Sequence, residues 1–464
     1  MFIPGEAGHT RRMGEARKIV ICGAGIAGVA AAYALAVVRG AENVVLVDEG
    51  NPLSLTSDKS TEAYRNWWPG PDQAMTAFMN RSIDLIEEIA RATDNRINLN
   101  RRGYVFATGD ASKIAFLIEM ARSAEMRSGG PARLHDTASS AYTPSPERGF
   151  DFPLTGADVV TDTSLIRKHF PYLAPETVAL VHARRAGWLS AQQLGAVMLE
   201  SARARGVKLV RGTVTGFDVG ARVRGVHVET ASERLMLEAT HVVLAAGPLQ
   251  QAMAAMIGLD LPITAERHHK VSFADTQVPR SAPMMIWLDE QRLPWSDEER
   301  AALEADDEAR WLLAPFPAGV HGRPDGAHST IVLFNHHGDA VPPEFPLPEP
   351  PPNYAEIALR GMSTMVPALK AHGGKPARAY IDGGYYMRTR ENRPLIGPVA
   401  PEGTYICCAY SGFGIMASCG SGELIAQHIL GEPLPDYADA FLLARYGDPA
   451  YRALLETWGD GGQL

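Results

Sequence analysis

Three glycines near the start of the chain have the spacing of a turn that binds a phosphate group. Gly23, Gly25 and Gly28 form G-x-G-x-x-G between a short β-branched run, which begins after Arg17, and an alanine-rich segment. In such a unit the first glycine permits the tight turn, the second lets the backbone approach a pyrophosphate, and the third lets helix and strand pack closely. Asp48 follows the third glycine by 20 residues, at the end of a second β-branched run. The pattern predicts a dinucleotide site in which Asp48 binds a ribose hydroxyl pair.

The motif leaves two details of this site open. Glu49 is a neighbouring alternative to Asp48, although alternation along the strand favours Asp48. The unit by itself does not distinguish FAD from NAD. Ile26 and Ala27, which lie within the turn, are assigned to the cofactor site together with the glycines.

A cation and two large rings stand together in a segment whose Ser, Asp and Pro residues are typical of a loop. In the stretch TSDKSTEAYRNWWPG, residues 56–70, Arg65 precedes Trp67 and Trp68. The planar fork of arginine suits a carboxylate, and the two rings bring a large apolar area to the loop. The alternative is that both tryptophans are core residues and that Arg65 forms a surface ion pair.

The composition of the whole chain limits the classes of protein to which it can belong. Its 464 residues are 46% hydrophobic and 21% charged, as in a globular chain of two or three domains. The net charge of −9 argues against a nucleic-acid partner. No apolar run reaches the roughly 18 residues that span a bilayer, so no membrane span is predicted.

Cysteine usage and the N-terminus bear on the compartment. The four cysteines have neither the spacing of a metal site nor the density of a disulfide scaffold. Arg11 and Arg12 could belong to a twin-arginine export signal, but the apolar stretch that follows contains the glycine turn, which export would remove. We expect a reduced, cytoplasmic protein.

Two further blocks have the pattern of strands next to glycine turns. The segment HVVLAAGP, residues 241–248, is a short apolar run that ends in small residues, where backbone can pass close to a cofactor. A second run over residues 404–409 leads into a turn with Gly412 and Gly414, and then into an apolar helix that ends near Leu430, before Gly431.

The segments between these blocks have a different character. Residues 101–156 and 263–378 hold most of the aromatic, proline and histidine clusters. The proline-rich run at 341–352 is typical of a surface loop, and the acidic stretch at 289–310 of a solvated amphipathic helix or two. Adjacent histidines, at 268–269 and 336–337, would point to opposite faces of a strand, so one of each pair could line a pocket and no metal site is predicted.

The chain resembles the D-amino-acid oxidase family of FAD-dependent oxidoreductases. The resemblance rests on three blocks in this order: the glycine fingerprint, the strand VVLAAGP and the block RPLIGP…YSGFG…GELIA. Sarcosine oxidase, glycine oxidase and dimethylglycine dehydrogenase belong to this family. The resemblance covers nearly the whole chain and implies FAD rather than NAD. It implies an α/β fold with a Rossmann-like FAD-binding domain assembled from discontinuous segments, 17–100, 157–262 and 379–440. A substrate domain with a large antiparallel sheet would comprise 101–156 and 263–378, with terminal extensions at 1–16 and 441–464.

The resemblance also assigns residues to the cofactor. The loop after the second strand would run past the flavin ring, so that Arg65 and Trp67 or Trp68 close one wall of the active site. Backbone N–H groups of the glycine turn before the last helix would face the pyrimidine edge, where the helix dipole stabilises negative charge. These residues are Gly412, Phe413, Gly414 and Ile415, and the other cofactor positions are Ser57, Ser60, Thr61, Val214, Ala246, Gly247 and Met416.

Departures from the family pattern are informative. The cysteine that tethers FAD in sarcosine oxidase is matched by Gly384, and residues 57–68 lack the histidine that attaches the flavin of dimethylglycine dehydrogenase. We therefore predict non-covalent FAD. Met416 replaces the lysine that binds the carboxylate of sarcosine, so a bulkier or more apolar pocket is expected. Residues 329–339 lack the lysine that promotes reaction with O₂, which predicts slow reoxidation by O₂ unless Lys270 substitutes.

The function that these features imply is oxidation of an amine or amino acid, with a secondary or N-alkylated amine preferred. A hydrogen on Cα or on an N-methyl group would pass as hydride to flavin N5, and the imine would hydrolyse. Tyr386 would lie at the substrate, Arg65 or Arg388 would bind a carboxylate, and His269 would keep the amine deprotonated. The electron acceptor would be O₂, a quinone or an electron-transfer protein. An FAD-dependent 2-hydroxy-acid dehydrogenase and a flavoprotein subunit of a hetero-oligomeric dehydrogenase are the alternatives.

Overall fold

The computed structural model describes residues 17–68, 70–336, 338–374 and 379–458. The predicted extension 1–16, the second histidine of the pair at 336–337 and the predicted boundary at residue 378 lie outside the described residues. Among the described residues, no helix is long and apolar enough to cross a membrane.

A six-stranded sheet carries the glycine turn. Its strand order is β19-β20-β13-β1-β2-β9, with every pair parallel except the antiparallel pair at the β19 edge. The central strands are buried on both faces, which explains why they are continuous β-branched runs in the sequence. The strands are β1 (Ile19–Cys22), β2 (Val44–Asp48), β9 (Lys208–Arg211), β13 (His241–Leu244), β19 (Leu395–Val399) and β20 (Thr404–Cys408).

Four helices share one hydrophobic cluster beside this sheet: α1 (Ile26–Tyr33), α2 (Ala74–Ala92), α5 (Ala191–Ala204) and α9 (Gly414–Leu430). Helices α1 and α9 contact the strands, α5 packs against α1, and α2 packs against α9. Helix α1 continues as a π-helix over Ala34–Val38. Small residues let α1 and α9 approach closely, since a Cβ atom at position 422 would lie 2.4 Å from the carbonyl oxygen of Ala30. The predicted last helix is confirmed, and Gly431, with φ of 70°, ends it.

A nine-stranded sheet forms the second layer, in the order β18-β14-β17-β16-β15-β4-β7-β6-β5. The predicted α/β fold class is confirmed, but this large sheet is mixed, because β4 pairs with β15 and β5 with β6 in parallel. Its strands are β4 (Tyr104–Thr108), β5 (Ala132–His135), β6 (Ala157–Val160), β7 (Ala179–Ala183), β14 (Thr264–Phe273), β15 (Met284–Trp287), β16 (His321–Asp325), β17 (Ser329–Leu333) and β18 (Ala379–Arg388).

The remaining elements cover the two large sheets. A three-stranded sheet contains β10 (Thr213–Val219), β11 (Val223–Glu229) and β12 (Arg234–Glu238), and a two-stranded sheet contains β3 (Ala63–Arg65) and β8 (Ala186–Trp188). The other helices are α3 (Ile114–Met126), α4 (Thr163–His169), α6 (Gln250–Ala255), α7 (Asp297–Ala305), α8 (Tyr354–Met365) and α10 (Pro449–Thr457). The acidic stretch forms α7, which has no buried residue and begins with a capping box of Ser296 and Glu299.

Three strands of the nine-stranded sheet come from segments that the sequence assigns to the FAD-binding domain. They are β6, β7 and β18, which the domain boundaries 157–262 and 379–440 group with the glycine turn. The domain boundaries themselves stay a prediction. Strand β18 lies at the edge of the large sheet and pairs with β14.

Candidate active site

A long cleft begins where β1, β2 and β13 end and reaches the N-terminus of α9. Ligands of open α/β sheets bind at this end of the strands. Most of the predicted cofactor positions line the cleft: Gly23, Gly25, Ile26, Ala27, Asp48, Glu49, Ser57, Ser60, Val214, Ala246, Gly247, Gly412, Gly414 and Ile415. Gly28, Thr61, Phe413 and Met416 are not among the lining residues. The assignment of all these residues to the cofactor stays a prediction.

The three glycines of the turn have different surroundings. Gly23 has φ of 110°, and a Cβ atom there would lie 2.3 Å from the carbonyl oxygen of Ala245. A Cβ atom at Gly28 would lie 1.9 Å from the carbonyl oxygen of Gly23. Near Gly25 the closest group is the Ser57 hydroxyl, 3.4 Å from such an atom. Close packing thus requires glycine at positions 23 and 28. At position 25, glycine instead leaves space open in the cleft.

The carboxylate of Asp48, at the end of β2, is held by the backbone. The two carboxylate oxygens of Asp48 accept hydrogen bonds from the N–H groups of Ala24 (2.6 Å) and Gly50 (2.8 Å). Glu49 accepts instead from the Thr213 hydroxyl, at 3.1 Å. Both acids line the cleft, but Asp48 is the one fixed against the glycine turn, as expected for a ribose ligand.

The loop after β2 closes over the N-terminus of α1. The Ser57 hydroxyl accepts a hydrogen bond from the N–H of Ile26 at 3.0 Å, and the Thr56 hydroxyl donates to the carbonyl oxygen of Tyr385 at 3.1 Å. Ser60 lines the cleft beyond them. The loop therefore joins the helix N-terminus to the edge strand β18 of the large sheet.

The turn before α9 is conformationally strained. Ala409 and Ser411 have φ of 63° and 48°, which non-glycine residues rarely adopt. The Ser411 N–H donates to the carbonyl oxygen of Met387 at 2.7 Å, which ties this turn to β18. A Cβ atom at Gly412 would lie 2.7 Å from the ring of Tyr386, so glycine lets this ring approach the turn. Backbone N–H groups of the first helical turn lack intrahelical partners and are available to a ligand in the cleft.

The cleft fits a dinucleotide that is not covalently attached. A Cβ atom at Gly384 would lie 3.2 Å from both the Lys59 Cβ and the Thr56 Oγ1, so the backbone here is packed against the loop. Cys407 and Cys408 do line the cleft. Burial raises the pKa of the Cys407 thiol to about 12, and the pKa of Cys408 is likewise raised, so both thiols are protonated and weakly nucleophilic.

Arg65 is buried among aromatic rings. Its guanidinium carbon Cζ lies over the ring of Trp68, 4.8 Å from the ring centre. The same atom lies 5.6 Å from the ring centre of Tyr104 and 6.0 Å from that of Phe106. Its Nε donates to the carbonyl oxygen of Trp67 at 3.1 Å. Burial lowers the pKa of Arg65. Within the part of the chain that the structure describes, no carboxylate forms an ion pair with this guanidinium.

The two tryptophans face different cores. Trp67 packs edge-on against Phe106 at 5.0 Å, and Trp68 packs against Phe413 at 4.8 Å. Met416 is buried in the same cluster as Trp68. Both tryptophans are thus core residues, whereas Arg65 is buried and not at the surface. None of the three is among the residues that line the cleft, so their place at the active site stays a prediction.

A polar array continues from Tyr386 along β14. The ring of His268 stacks on Tyr386 at 4.0 Å, and its Nε2 lies 3.3 Å from Glu266 Oε2. Glu266 also accepts from Arg388 at 3.1 Å. Burial opposes ionisation of Glu266, but the contacts with His268 and Arg388 outweigh it and lower the pKa of this carboxyl group. Arg388 is thus already paired.

The structure corrects the choice between the adjacent histidines. Residues 268 and 269 point to opposite faces of β14, as alternation requires. His269 lies on the far face, 5.3 Å from Tyr354, and burial lowers its pKa to about 4. His336 lies close to Tyr354 as well. The histidine next to Tyr386 is His268, so the predicted role of His269 at the amine has no geometric support.

Several residues of this region carried no signal in the sequence. Tyr104 and Phe106 reach Arg65 from β4, and Asn335 lies 3.2 Å from His268. Along each strand, alternate side chains point to the same face, and this alternation was the signal that the sequence offered. It shows which residues share a site only when the pairing of the strands is known. Lys270, two residues after His268, donates to the carbonyl oxygen of Asp58, between the cleft residues Ser57 and Ser60.

Several solved structures have the same fold. L-Proline dehydrogenase from P. horikoshii superimposes with a TM-score of 0.70 at 19% identity, over 93% of this chain and 98% of that one. Glycine oxidase from Bacillus cereus gives 0.68 at 16% identity, and iminodiacetate oxidase from Chelativorans sp. gives 0.66 at 16%, each over 92% of this chain and 98% of the other. At these identities the likeness shows the fold alone. A search of curated proteins finds no match.

The family model described as FAD dependent oxidoreductase matches residues 18–428, which include the glycine turn, both sheets that form the cleft and almost all of α9. The match confirms the predicted cofactor and the enzymatic class. The chain belongs to this DAO family of FAD-dependent oxidoreductases.

Proposed function

We propose that the protein oxidises an amine or amino acid that carries a carboxylate, and that Arg65 binds this carboxylate. The observation that carries the proposal is the buried guanidinium, only 4% exposed, that has no carboxylate partner among the described residues. An unpaired buried charge is costly, and an anionic ligand would offset that cost. Bound FAD supplies the acceptor for the two electrons of the oxidation.

Two other arginines that could bind a carboxylate, Arg388 and Arg390, are engaged elsewhere. Arg388 forms an ion pair with Glu266. Arg390 is exposed and pairs with Glu456 at 3.3 Å. Since Arg65 alone combines burial, aromatic neighbours and the absence of an internal ion pair, it is the arginine that we assign to the substrate.

The aromatic surroundings of Arg65 support a substrate larger than sarcosine. Trp68, Tyr104 and Phe106 lie around the guanidinium, and Tyr386 stands on the cleft side of the large sheet. Aromatic neighbours of this kind favour an amine with an apolar or N-alkyl substituent. Loss of a hydrogen as hydride and hydrolysis of the resulting imine complete the proposed reaction.

One observation favours the alternative of a 2-hydroxy acid. His268 with Glu266 forms a histidine–carboxylate pair beside Tyr386, and such a pair could accept a hydroxyl proton. The two classes can be separated by anaerobic bleaching of the flavin with matched amino acids and 2-hydroxy acids of equal side chain. We expect bleaching by amino acids or N-alkyl amino acids. Bleaching by hydroxy acids alone would contradict the proposal, and bleaching by neither would favour a subunit of a larger dehydrogenase.

The prediction of slow reoxidation by O₂ rests on the absence of a lysine from residues 329–339. Lys270 supplies a cation from the neighbouring strand, close to the loop that lines the cleft. Burial lowers the pKa of Lys270. Slow reoxidation by O₂ stays a prediction, with Lys270 as the cation that could replace the missing lysine.

Non-covalent attachment predicts complete release of the flavin. Denaturation in acid or hot detergent should move all yellow chromophore into the soluble fraction, because Gly384 offers no nucleophile and the buried thiols at 407 and 408 are protonated. The measurement is in-gel fluorescence of the protein band after precipitation. Flavin that stays with the band would contradict the prediction.

A further inference from the structure

Strand β16 brings one more histidine to the face of the large sheet on which Arg65 lies. His321 is paired with Ile286 of β15, and Ile286 is paired with Phe106 of β4. Residues paired directly across strands point to the same face. The imidazole therefore lies on the face of Phe106, about 10 Å away across two strand spacings. Phe106 in turn contacts Arg65.

The hydrogen bond of His321 fixes which ring nitrogen is protonated. Nδ1 lies 2.8 Å from the carbonyl oxygen of Gly319. A carbonyl oxygen can only accept, so Nδ1 carries the hydrogen and Nε2 of the neutral ring presents a lone pair. Among the described residues, no hydrogen-bond partner of Nε2 is present.

The charge state of this ring is set by its surroundings. Burial is the main effect on the pKa of His321 and lowers it, and the charges of His268 and Arg65 act in the same direction. The hydrogen bond to Gly319 raises the pKa, but the net result is a pKa of about 4. The imidazole is neutral near pH 7. A neutral acceptor on the same face of the sheet as a buried cation, and within its electrostatic reach, is complementary to a molecule that carries both a carboxylate and an N–H group.

We propose that His321 binds the N–H group of the substrate amine through Nε2, while Arg65 binds the carboxylate. This inference rests on the proposed function, since it assumes the same carboxylate-bearing ligand. It names the substrate class more narrowly: primary and secondary amines have an N–H group for this acceptor, whereas neutral N,N-dialkyl amines have none. The pair Arg65 and His321 would thus select both ends of the substrate.

Two ring carboxylates test the inference in the FAD-loaded protein. Pyrrole-2-carboxylate and furan-2-carboxylate have nearly the same shape, but only the first has an N–H group. Their dissociation constants are measured from the perturbation of the flavin absorption spectrum. We expect the wild type to prefer pyrrole-2-carboxylate by about tenfold, the value of one hydrogen bond.

Three variants separate the role of Nε2 from a structural role of the ring. His321→Asn keeps a donor for the Gly319 carbonyl but has no acceptor at the position of Nε2, so it should lose the preference. His321→Gln can place an acceptor oxygen near the position of Nε2, so it should keep it. His328→Asn is the matched control, because this histidine is exposed in the turn of the same hairpin. It should behave as the wild type.

The outcomes distinguish this inference from the proposed function. Equal affinity of the wild type for the two carboxylates overturns the inference, even if a variant fails to fold. A preference that survives in His321→Asn overturns it as well. If neither carboxylate binds, or if Arg65→Ala binds both as tightly as the wild type, the proposed function itself fails.

Discussion

Replacement of Arg65 by alanine is expected to lower kcat/KM for a carboxylate-bearing substrate by roughly ten- to hundredfold, which corresponds to about 1.5–3 kcal/mol for one charge-assisted contact. The loss should be specific to the carboxylate. The guanidinium is held over Trp68 and anchored by the carbonyl oxygen of Trp67, so it is oriented before any substrate binds. Steady-state kinetics with a substrate and with its decarboxylated analogue measure the effect.

The control for this prediction is another arginine of the chain. Arg390 is exposed and paired with Glu456, so Arg390→Ala should leave kcat/KM within about twofold, as for an exposed ion pair worth little. The decarboxylated amine should lose little in Arg65→Ala, because it does not use the guanidinium. Normal turnover of a carboxylate substrate by Arg65→Ala would show that another group binds the acid.

Features that depend on contiguous residues could be predicted from the sequence. The glycine turn, the strands on either side of it and helix α9 each need only a local pattern, and all occur where the pattern predicts them. Asp48 was favoured over Glu49 by alternation, and the structure holds Asp48 against the turn. Local periodicity and capping residues determine such elements before any long-range contact forms.

The substrate side could not be predicted in the same way. It combines β4, β14, β16 and β18, whose pairing joins residues far apart in the chain. Alternation shows that His268 and His269 face opposite ways, but only the pairing of His268 with Gly384 shows which one is on the face of Tyr386. The parallel pairing of β4 with β15 was likewise invisible, since no local signal distinguishes it from an antiparallel pair.

A methyl group at position 28 is expected to destabilise the fold, because Gly28 is the point of contact between α1 and the turn. In Gly28→Ala the new Cβ would lie 1.9 Å from the carbonyl oxygen of Gly23 and 3.3 Å from a methyl group of Ile21. Helix α1 must move away from β1, and overpacking of this kind costs about 1–3 kcal/mol or more. Alanine regains up to about 1 kcal/mol of helix propensity. We therefore expect a net loss of about 2 kcal/mol in the free energy of unfolding, measured in urea on the flavin-free protein.

The matched variant is Gly25→Ala, which separates packing from cofactor binding. Gly25 has φ of −70°, which alanine adopts without strain, and its Cβ would meet only the Ser57 hydroxyl at 3.4 Å. Its free energy of unfolding should change by less than about 0.5 kcal/mol without FAD. The methyl group would instead occupy the space into which the pyrophosphate must approach, so the dissociation constant of FAD should rise by at least about tenfold. Equal stability of Gly28→Ala and the wild type, or unchanged FAD affinity of Gly25→Ala, would contradict this division of roles.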